Sequence, residues 1–531
     1  MRLRTHNELI LHNGRIWTFD PEKPFAEAVS IRDGRIAGVG DLSTVKGAVS
    51  KNAEMLDIHG RAVYPGFVDT HIHLVAYGLR WGQLNAEGLS SIRELRRSVA
   101  QAVRAKKPGE WIEGHGWDQE RFTERRYPTR YDLDDLSPDN PVALRRICGH
   151  VLVANSLALE IAKINRETRA PEGGEIDRDP STGEPTGILR ENAMGLVLDR
   201  IPAPSSGQIM ESTRVAMKMA AEKGLTGVHC IIDSPRELQA LQSLHTGGEL
   251  TLRFYVLIPV RMADGLKDLG IETGFGDEML RVGAVKIEED GSLGARTASL
   301  RQPYEDDPRN SGILTISPEE LERIVPELHR SRLQVAIHAI GDRAAEVSLR
   351  SISRAQGDGE PGLLRHRLEH ASILDKGLID LMKRLGVLAA VQPRFITSDW
   401  WAENRVGRSR SSWIYPFRSM MEGGVTLSGG SDCPVEPLDP VLGIFSAVTR
   451  GGSQMQERLS VEQAIQLYTR NAAYAEFAEE QKGVIKEGKL ADLVVLERDL
   501  TDIAPEEIKD VAVAMTIVGG NVVFQSEGLA G

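Results

Sequence analysis

Eight short runs of strand-forming residues constrain the fold of this chain more than any other feature. They lie at Gly66–His73, Gly227–Ile232, Leu252–Leu257, Ala284–Glu289, Gln334–Ala339, Arg367–Ala371, Gly386–Gln392 and Val425–Ser431. Helix-like stretches separate most of them, and this alternation predicts a parallel α/β domain. Eight is the number of strands that closes a (β/α)8 TIM barrel. An open parallel sheet of eight strands is the alternative, but the spacing of the runs favours the barrel.

Both ends of the chain have a different, all-β texture. Short strand-like runs near the N-terminus are separated by Asn13-Gly14 and Asp33-Gly34, and similar runs recur near the C-terminus. Both dipeptides favour two-residue hairpin turns. Because neither end has enough strands to cover a core, residues 1–65 and 484–531 predict one composite β-sandwich, with the barrel at 66–483. Two unrelated β decorations are the alternative.

The gap between the first and second strand-like runs is far longer than a usual connection. It holds a helix-like stretch, Ser91–Lys106, and two strand-like stretches, Trp111–Trp117 and Pro141–Ile147. We therefore expect residues 78–205 to form an inserted domain after barrel strand 1. Loops that follow barrel strands surround the active face, so we expect this insertion to lie over the barrel mouth and shape a substrate pocket.

Composition excludes several classes of partner. The net charge of −12 and pI near 5.7 argue against nucleic acid and anionic membranes, which bind basic surfaces. No apolar run is long enough for a membrane span, and the N-terminus has no apolar core of a signal peptide. The three cysteines, Cys148, Cys230 and Cys433, form no disulfide framework. We expect a cytoplasmic enzyme with a small-molecule substrate.

Residues that commonly bind metals lie at the ends of five of the predicted strands. They are His71, His73, Lys286, His338, His370 and Asp432. His71 and His73 point to the same face of one strand, where neutral imidazoles can bind one metal ion. Taken singly, each residue has an ordinary structural role; Asp432, for example, could cap a helix. Jointly they predict a metal centre, because the carboxyl ends of barrel strands converge.

Several motifs resemble the amidohydrolase superfamily. They are Gly66-Phe-Val-Asp-Thr-His-Ile-His73, the fifth-strand His338, Glu369-His370 and Gly430-Ser-Asp432. Three more motifs are similar to the branch that includes N-substituted formamide deformylases. These are Lys286-x-x-x-Asp290-Gly-Ser292, His338-Ala-Ile-Gly-Asp342-Arg-Ala344 and Ser431-Asp-Cys-Pro-Val435. The resemblance covers nearly the whole chain, and none of its motifs specifies a substrate.

The resemblance implies a divalent metal centre held by the four histidines and Asp432. In members of the superfamily with a fourth-strand lysine, that lysine is N-carboxylated in some cases and bridges two metals; Lys286 matches its place. The sequence leaves one and two ions open. Zinc is our first expectation for ligands of this kind, with iron, manganese and nickel as alternatives. A homodimer is expected from the family alone.

We expect the chain to hydrolyse a non-peptide C–N bond in an amide, N-formyl compound or cyclic amide, using metal-activated water. Asp432 would act as general base, and His150 would help to polarise the carbonyl. Trp117 and Arg296 are the candidate substrate contacts, with packing and a surface ion pair as their ordinary alternatives.

Three other functions compete with this prediction. Superfamily deaminases usually carry a glutamate three residues after the fifth-strand histidine, but Gly341 occupies that position here. Phosphoester hydrolysis also uses a bridging lysine and two metals, and the sequence does not exclude it. A metal-free regulatory protein is the third alternative, although such proteins lose ligands and this chain has all of them.

Overall fold

The computed structural model describes residues 8–147, 150–171, 173–357, 359 and 361–529. Cys148 and the N-terminal residues used for the signal-peptide prediction lie outside the described residues. The chain divides into two compact units. One unit comprises the residues up to Tyr77 together with those from Thr213 onward, and the other is Gly78–Ser212. The second unit therefore covers the segment predicted as an insertion at 78–205, whose position over the barrel mouth stays a prediction.

An eight-stranded parallel sheet forms the centre of the first unit, and its strands follow one another in chain order. The strands are Phe67–Ile72 (β1), Leu225–Ile231 (β2), Arg253–Pro259 (β3), Leu280–Glu288 (β4), Val335–Ala339 (β5), Arg367–His370 (β6), Leu388–Val391 (β7) and Leu427–Gly429 (β8). All eight match the predicted runs, so the predicted barrel is confirmed. Buried apolar side chains such as Leu257 and Ala336 fill it.

The first and last strands, β1 and β8, are joined by side chains and by the loop after β8. Thr70 donates to the Ser428 hydroxyl at 3.0 Å. Beyond β8, the Ser431 N–H donates to the Asp69 carboxylate at 3.0 Å, and the Asp432 N–H donates to the His71 carbonyl at 2.8 Å. These bonds bring the end of β8 against β1 and make the barrel nearly closed.

Helices separate most of the barrel strands along the chain, and others lie in the sandwich segment and in the second unit. The α-helices are Leu42–Gly47, Leu74–Trp81, Ile92–Arg104, Ser156–Ile161, Gly195–Leu198, Ser206–Glu222, Pro235–Thr246, Ala263–Asp268, Pro318–Arg330, Asp342–Gln356, Lys376–Leu385, Phe395–Ser398, Ala402–Val406, Phe417–Glu422, Pro440–Thr449, Val461–Leu467 and Arg470–Ala475. Ser460 caps the N-terminus of the helix Val461–Leu467 with a capping box. No helix among the described residues is long and apolar enough to span a membrane.

Both chain ends contribute to a β-sandwich beside the barrel, as predicted. Its four-stranded sheet consists of Arg35–Gly40, Ala28–Arg32, Glu8–His12 and Glu54–Asp57. Its six-stranded sheet consists of Asn521–Gln525, Val513–Val518, Leu493–Leu496, Ala62–Pro65, Arg15–Trp17 and Phe25–Ala26. One apolar core joins them, because Leu9 and Val29 of the first sheet pack in the same cluster as Leu493 and Ile517 of the second.

The second unit has a six-stranded mixed sheet of its own. Its strands are Gly174–Arg178, Pro185–Glu191, Val151–Ala154, Val142–Arg146, Ile112–Trp117 and Leu84–Asn85. Two apolar clusters cover the sheet, one containing Trp117 and Leu144 and the other containing Leu152 and Leu189. The unit thus has its own hydrophobic core, which is what defines a separate domain.

Candidate metal centre

Four histidine rings gather at the carboxyl ends of the barrel strands. His71 lies in β1, and His73 directly follows it; His338 lies in β5 and His370 ends β6. Ring centroids are 6.1 Å apart for His71 and His73, 4.8 Å for His71 and His370, and 4.4 Å for His338 and His370. The structure therefore brings together histidines from three distant parts of the sequence.

Asp432 completes one side of this group. Its Oδ1 atom lies 3.5 Å from His71 Nε2 and 3.6 Å from His73 Nε2. One potential ligand atom from each of these three residues lies within 4.8 Å of the others. Two ligands about 2.1 Å from one tetrahedral ion lie about 3.4 Å apart, which is close to both measured distances. The three residues are therefore spaced as ligands of one ion.

The backbone is in the left-handed region at two of the predicted ligands. His370 has φ of 70° and Asp432 has φ of 59°. Non-glycine residues seldom adopt this conformation, and it costs free energy that the surrounding structure must supply. At His370 the left-handed backbone turns the ring towards His71 and His338. The side chain of the preceding residue, Glu369, contacts His71 as well. In a regular strand, neighbouring side chains would point to opposite faces.

The chemistry of His370 and His338 fits a metal. Within the part of the chain that the structure describes, His370 Nδ1 is buried and has no hydrogen-bond partner. Burial, followed by His338, holds the His370 pKa well below its ordinary value. Burial and Lys286 lower the pKa of His338 to about 4. Both rings are therefore neutral near pH 7, which is the form of histidine that binds metals.

A buried ionic network fixes the other face of His71. Its Nδ1 atom contacts the Glu369 carboxylate, which accepts hydrogen bonds from Arg367 Nε at 2.8 Å and Nη2 at 3.0 Å. Arg367 also bonds to His229 Nδ1 at 2.8 Å and to the Thr70 carbonyl at 2.7 Å. Burial lowers the pKa of His71, but Asp432 and Glu369 raise it to about 9. The two carboxylates that flank His71 therefore favour a positive charge at this ring.

Lys286 lies beside His338 but contacts it through a third residue. Its Nζ atom donates to Glu288 Oε1 at 2.6 Å, and Glu288 Oε2 lies 3.2 Å from His338 Nδ1. Our sequence reasoning missed Glu288. The signal was available, because residues 286 and 288 of one strand point to the same face.

Asp290 explains part of the motif that follows Lys286. Its carboxylate accepts hydrogen bonds from the backbone N–H groups of Ser299, Ile340 and Gly341, at 2.8, 3.0 and 2.9 Å. These bonds tie the segment after β4 to the segment after β5. Asp290 therefore holds the loops that follow Lys286 and His338, and no metal role is needed to account for it.

Trp117 and His150 belong to the second unit. The Trp117 side chain is buried in the core of that unit, and its indole N–H donates to the Leu144 carbonyl at 2.8 Å. A buried ring with its only polar atom bonded is placed for packing, so we do not include Trp117 in the proposed site. The His150 side chain is 68% exposed and its Nδ1 lies 2.9 Å from Glu191. Its predicted role at the carbonyl stays a prediction.

Arg296 follows β4 and forms an ion pair within the first unit. Its Nε and Nη2 atoms bond to the two Asp306 oxygens at 3.1 and 2.9 Å, and Arg405 contacts the same carboxylate. Two guanidinium groups therefore share one carboxylate, and the Arg405 guanidinium lies 5.3 Å from the centre of the Trp401 ring. The substrate contact predicted for Arg296 stays a prediction.

Similarity to known proteins assigns this chain to a family. Residues 54–524 match the family described as "Amidohydrolase family". The chain belongs to the amidohydrolase family. This amidohydrolase is 36% identical to "Putative amidohydrolase YtcJ" of Bacillus subtilis, over 97% of this chain and 99% of that protein. It is 29% identical to the N-substituted formamide deformylase of Arthrobacter pascens, over 98% and 99% of the two chains.

A solved structure supports the same assignment. An uncharacterized metal-dependent hydrolase from Pyrococcus furiosus superposes with a TM-score of 0.81 at 33% identity, over 93% of this amidohydrolase and 100% of that chain. The family and these relatives indicate a hydrolase. On the same grounds, the cluster formed by His71, His73 and Asp432 is expected to bind a metal ion.

Proposed function

We propose that this amidohydrolase cleaves a C–N bond other than a peptide bond, in an amide, N-formyl compound or cyclic amide. The observation that carries the proposal is the convergence of His71, His73 and Asp432 with donor atoms spaced for one ion. The N-substituted formamide deformylase of Arthrobacter pascens is similar over nearly its whole length, which supports this substrate class.

In this proposal His71, His73, His338, His370 and Asp432 hold a divalent metal, and zinc suits these ligands. When bound, the metal supplies water activated for attack at neutral pH and polarises the carbonyl. The Asp432 carboxylate takes the proton of the attacking water and returns it to the leaving nitrogen. Its side chain is 12% exposed, so it is accessible to a substrate while it stays beside His71 and His73.

Hydrolysis is favoured over deamination by the backbone after His338. A Cβ atom added at Gly341 would lie 1.9 Å from the Ser299 carbonyl oxygen, so no side chain fits there. Asp342 follows, but it accepts a hydrogen bond from the Arg301 N–H at 2.9 Å and is buried at the start of a helix. Neither residue offers the acid that ring protonation in a deaminase needs.

The proposal is tested by an activity assay with a panel of N-formyl, N-acyl and cyclic amides. Zinc-loaded wild type and zinc-loaded D432N are compared. We expect turnover of at least one compound class in the wild type. We expect D432N to lose roughly 10²- to 10⁴-fold in kcat, the range for removal of a general acid–base. Metal content is measured on both proteins, since loss of zinc would also reduce the rate.

The matched control is D439N. Asp439 caps the helix Pro440–Thr449 and also pairs with Lys223, so it is a carboxylate in the segment that follows Asp432 and outside the cluster. D439N is expected to keep the wild-type kcat. Near-full turnover by D432N, or no turnover of any amide by zinc-replete wild type, would contradict the proposed function.

A further inference from the structure

A phenylalanine side chain lies against one of the proposed metal ligands. The Phe395 ring is parallel to the His370 ring, with 5° between the two planes and 6.2 Å between the two centroids. Offset-stacked rings adopt this arrangement. Phe395 begins the helix Phe395–Ser398 shortly after β7, and it is half-buried. The cluster is therefore bordered at His370 by an aromatic surface that is partly accessible.

A valine lies beside another proposed ligand. The Val435 N–H donates to the Asp432 carbonyl at 2.8 Å, so both residues belong to one turn after β8. Val435 is 66% exposed. Water gains nothing from contact with this apolar side chain, whereas an apolar ligand would release that water. Val435 is thus placed to contact a group bound next to Asp432.

An ion pair connects the two loops that carry these apolar residues. Arg394, which precedes Phe395, lies with its Nε atom 3.4 Å from Oε2 of Glu436, which follows Val435. Arg394 Nη1 also donates to the Thr397 hydroxyl at 2.7 Å. The charged neighbours of the two apolar residues therefore neutralise each other. The side of the cluster at β7 and β8 presents apolar side chains, and its charges are paired.

The side of the barrel at β4 has the opposite character. β4 and β8 are four strands apart in the eight-stranded sheet, so they lie across the barrel from each other. At the end of β4, Lys286 Nζ donates to Glu288 Oε1 at 2.6 Å, and the Glu288 side chain is 57% exposed. A ligand at the histidine cluster would thus meet a charged side at β4 and an apolar side at β7 and β8.

From this arrangement we infer that Phe395 and Val435 form an apolar subsite beside the metal centre, and that Phe395 determines specificity. The preferred substrate is an amide whose group next to the reacting carbon is flat and apolar, such as an aryl group, and carries no charge. Such a group can stack on the accessible part of the Phe395 ring. The inference rests on the proposed function, because the subsite acts on a substrate that is held at the metal centre.

Binding of three hydroxamates to zinc-loaded protein tests this inference without an activity assay. Each chelates zinc through the same group, which carries a methyl group in acetohydroxamate, a phenyl ring in benzohydroxamate and a carboxylate chain in succinic monohydroxamate. Isothermal titration calorimetry measures the three affinities. We expect wild type to bind benzohydroxamate most tightly. F395A should weaken benzohydroxamate by roughly 2- to 12-fold, the range for one aromatic pair, and leave acetohydroxamate unchanged.

V435N is a second variant, and it replaces an exposed side chain by a polar one of similar size. It should also weaken benzohydroxamate more than acetohydroxamate. The matched control is F275A, because Phe275 is 65% exposed and precedes β4, at the end of the barrel away from the cluster. F275A is expected to bind all three compounds like wild type. Zinc content and melting temperature are measured on every variant.

Equal losses of acetohydroxamate and benzohydroxamate in F395A would show that Phe395 only supports His370, and would overturn the inference. Tighter binding of succinic monohydroxamate than of benzohydroxamate by wild type would also overturn it. So would an amide panel in which only charged compounds are hydrolysed. Wild type that binds no zinc, or hydrolyses no amide, would instead overturn the proposed function, so the two failures are distinguishable.

Discussion

At the scale of single residues, Glu369 determines how His71 faces the cluster. Its carboxylate contacts His71 Nδ1 and is itself held by two bonds from Arg367. A carboxylate on Nδ1 fixes the tautomer of the ring and leaves Nε2 for the metal. Nε2 is the atom that lies 3.5 Å from Asp432. Glu369 is therefore a positioning residue for the centre.

We expect E369Q to weaken zinc binding by roughly 10- to 100-fold, because the amide cannot accept from His71 and Arg367 as the carboxylate does. Zinc affinity from chelator competition is the measurement. E457Q is the matched control, since Glu457 is a buried carboxylate that bonds to the Ser419 N–H at 2.9 Å, outside the cluster. Equal zinc affinity of E369Q and wild type would show that His71 needs no such partner.

Part of this site could be predicted from the sequence and part could not. Alternation within one strand is enough to put His71 and His73 on a common face, and the same rule would have found Glu288 beside Lys286. The left-handed backbone at His370 and Asp432 could not be predicted, because it depends on packing around the finished barrel. Glu369 was read only as part of a motif, and its contact with His71 joins residues 298 positions apart.

At the scale of elements, the ion pair between Arg253 and Asp492 joins the barrel to the sandwich. Arg253 begins β3, and Asp492 precedes the sandwich strand Leu493–Leu496. Their side chains are buried and form two hydrogen bonds, at 2.7 and 2.8 Å. Asp492 also accepts from the Gly519 N–H at 2.8 Å. Asp492 is therefore a structural residue that links the barrel to the sandwich.

We expect D492N to lower the free energy of unfolding by about 3–5 kcal/mol, because Arg253 would stay buried without the carboxylate to which it bonds. Urea denaturation at pH 7 is the measurement. E497Q is the control, since Glu497 pairs with Arg61 at 2.7 Å in a more exposed position. That variant is expected to lose less than about 1 kcal/mol. Similar losses for the two variants would contradict a special role for the buried pair.

The ion pair of Arg253 and Asp492 also predicts how the stability difference between wild type and D492N depends on pH. Burial raises the pKa of Asp492, but the neighbouring Arg253 lowers it by more, so the pKa lies below its ordinary value. A lowered folded-state pKa stabilises the protein above the unfolded value of about 4, and this contribution is lost as the pH falls through the folded-state pKa. The gap in unfolding free energy between wild type and D492N should therefore stay constant above about pH 5 and narrow in acid. A gap that widens in acid would reverse the assigned sign.

At the scale of the whole chain, the order of the strands and an eight-stranded barrel were predictable, but the bonds that join its first and last strands were not. Apolar runs with turn residues between them indicate eight strands, and parallel neighbours in chain order follow from the β/α alternation. The join between β1 and β8 depends on bonds such as that from Ser431 to Asp69, which are 362 positions apart. Periodicity carries no information about such pairs.

The sandwich makes the two ends of the chain interdependent. Leu493–Leu496 pairs with Ala62–Pro65, and Val513–Val518 extends the same sheet. The side chains of Leu493, Val495, Met515 and Ile517 are fully buried in the sandwich core. Burial of each such side chain contributes about 1.5–3 kcal/mol, so their sum is on the order of the 5–15 kcal/mol that stabilises a typical domain.

We therefore expect a chain that ends at Gly483 to be insoluble or to lack a cooperative melting transition, because Leu9, Leu11 and Val63 would lose their covering strands. Co-expression of residues 484–531 as a separate polypeptide is the control, since it restores the missing strands without the covalent link. It should recover soluble protein that binds zinc. A soluble 1–483 chain that melts cooperatively and binds zinc by itself would show that the barrel and its metal centre do not depend on the C-terminal half of the sandwich.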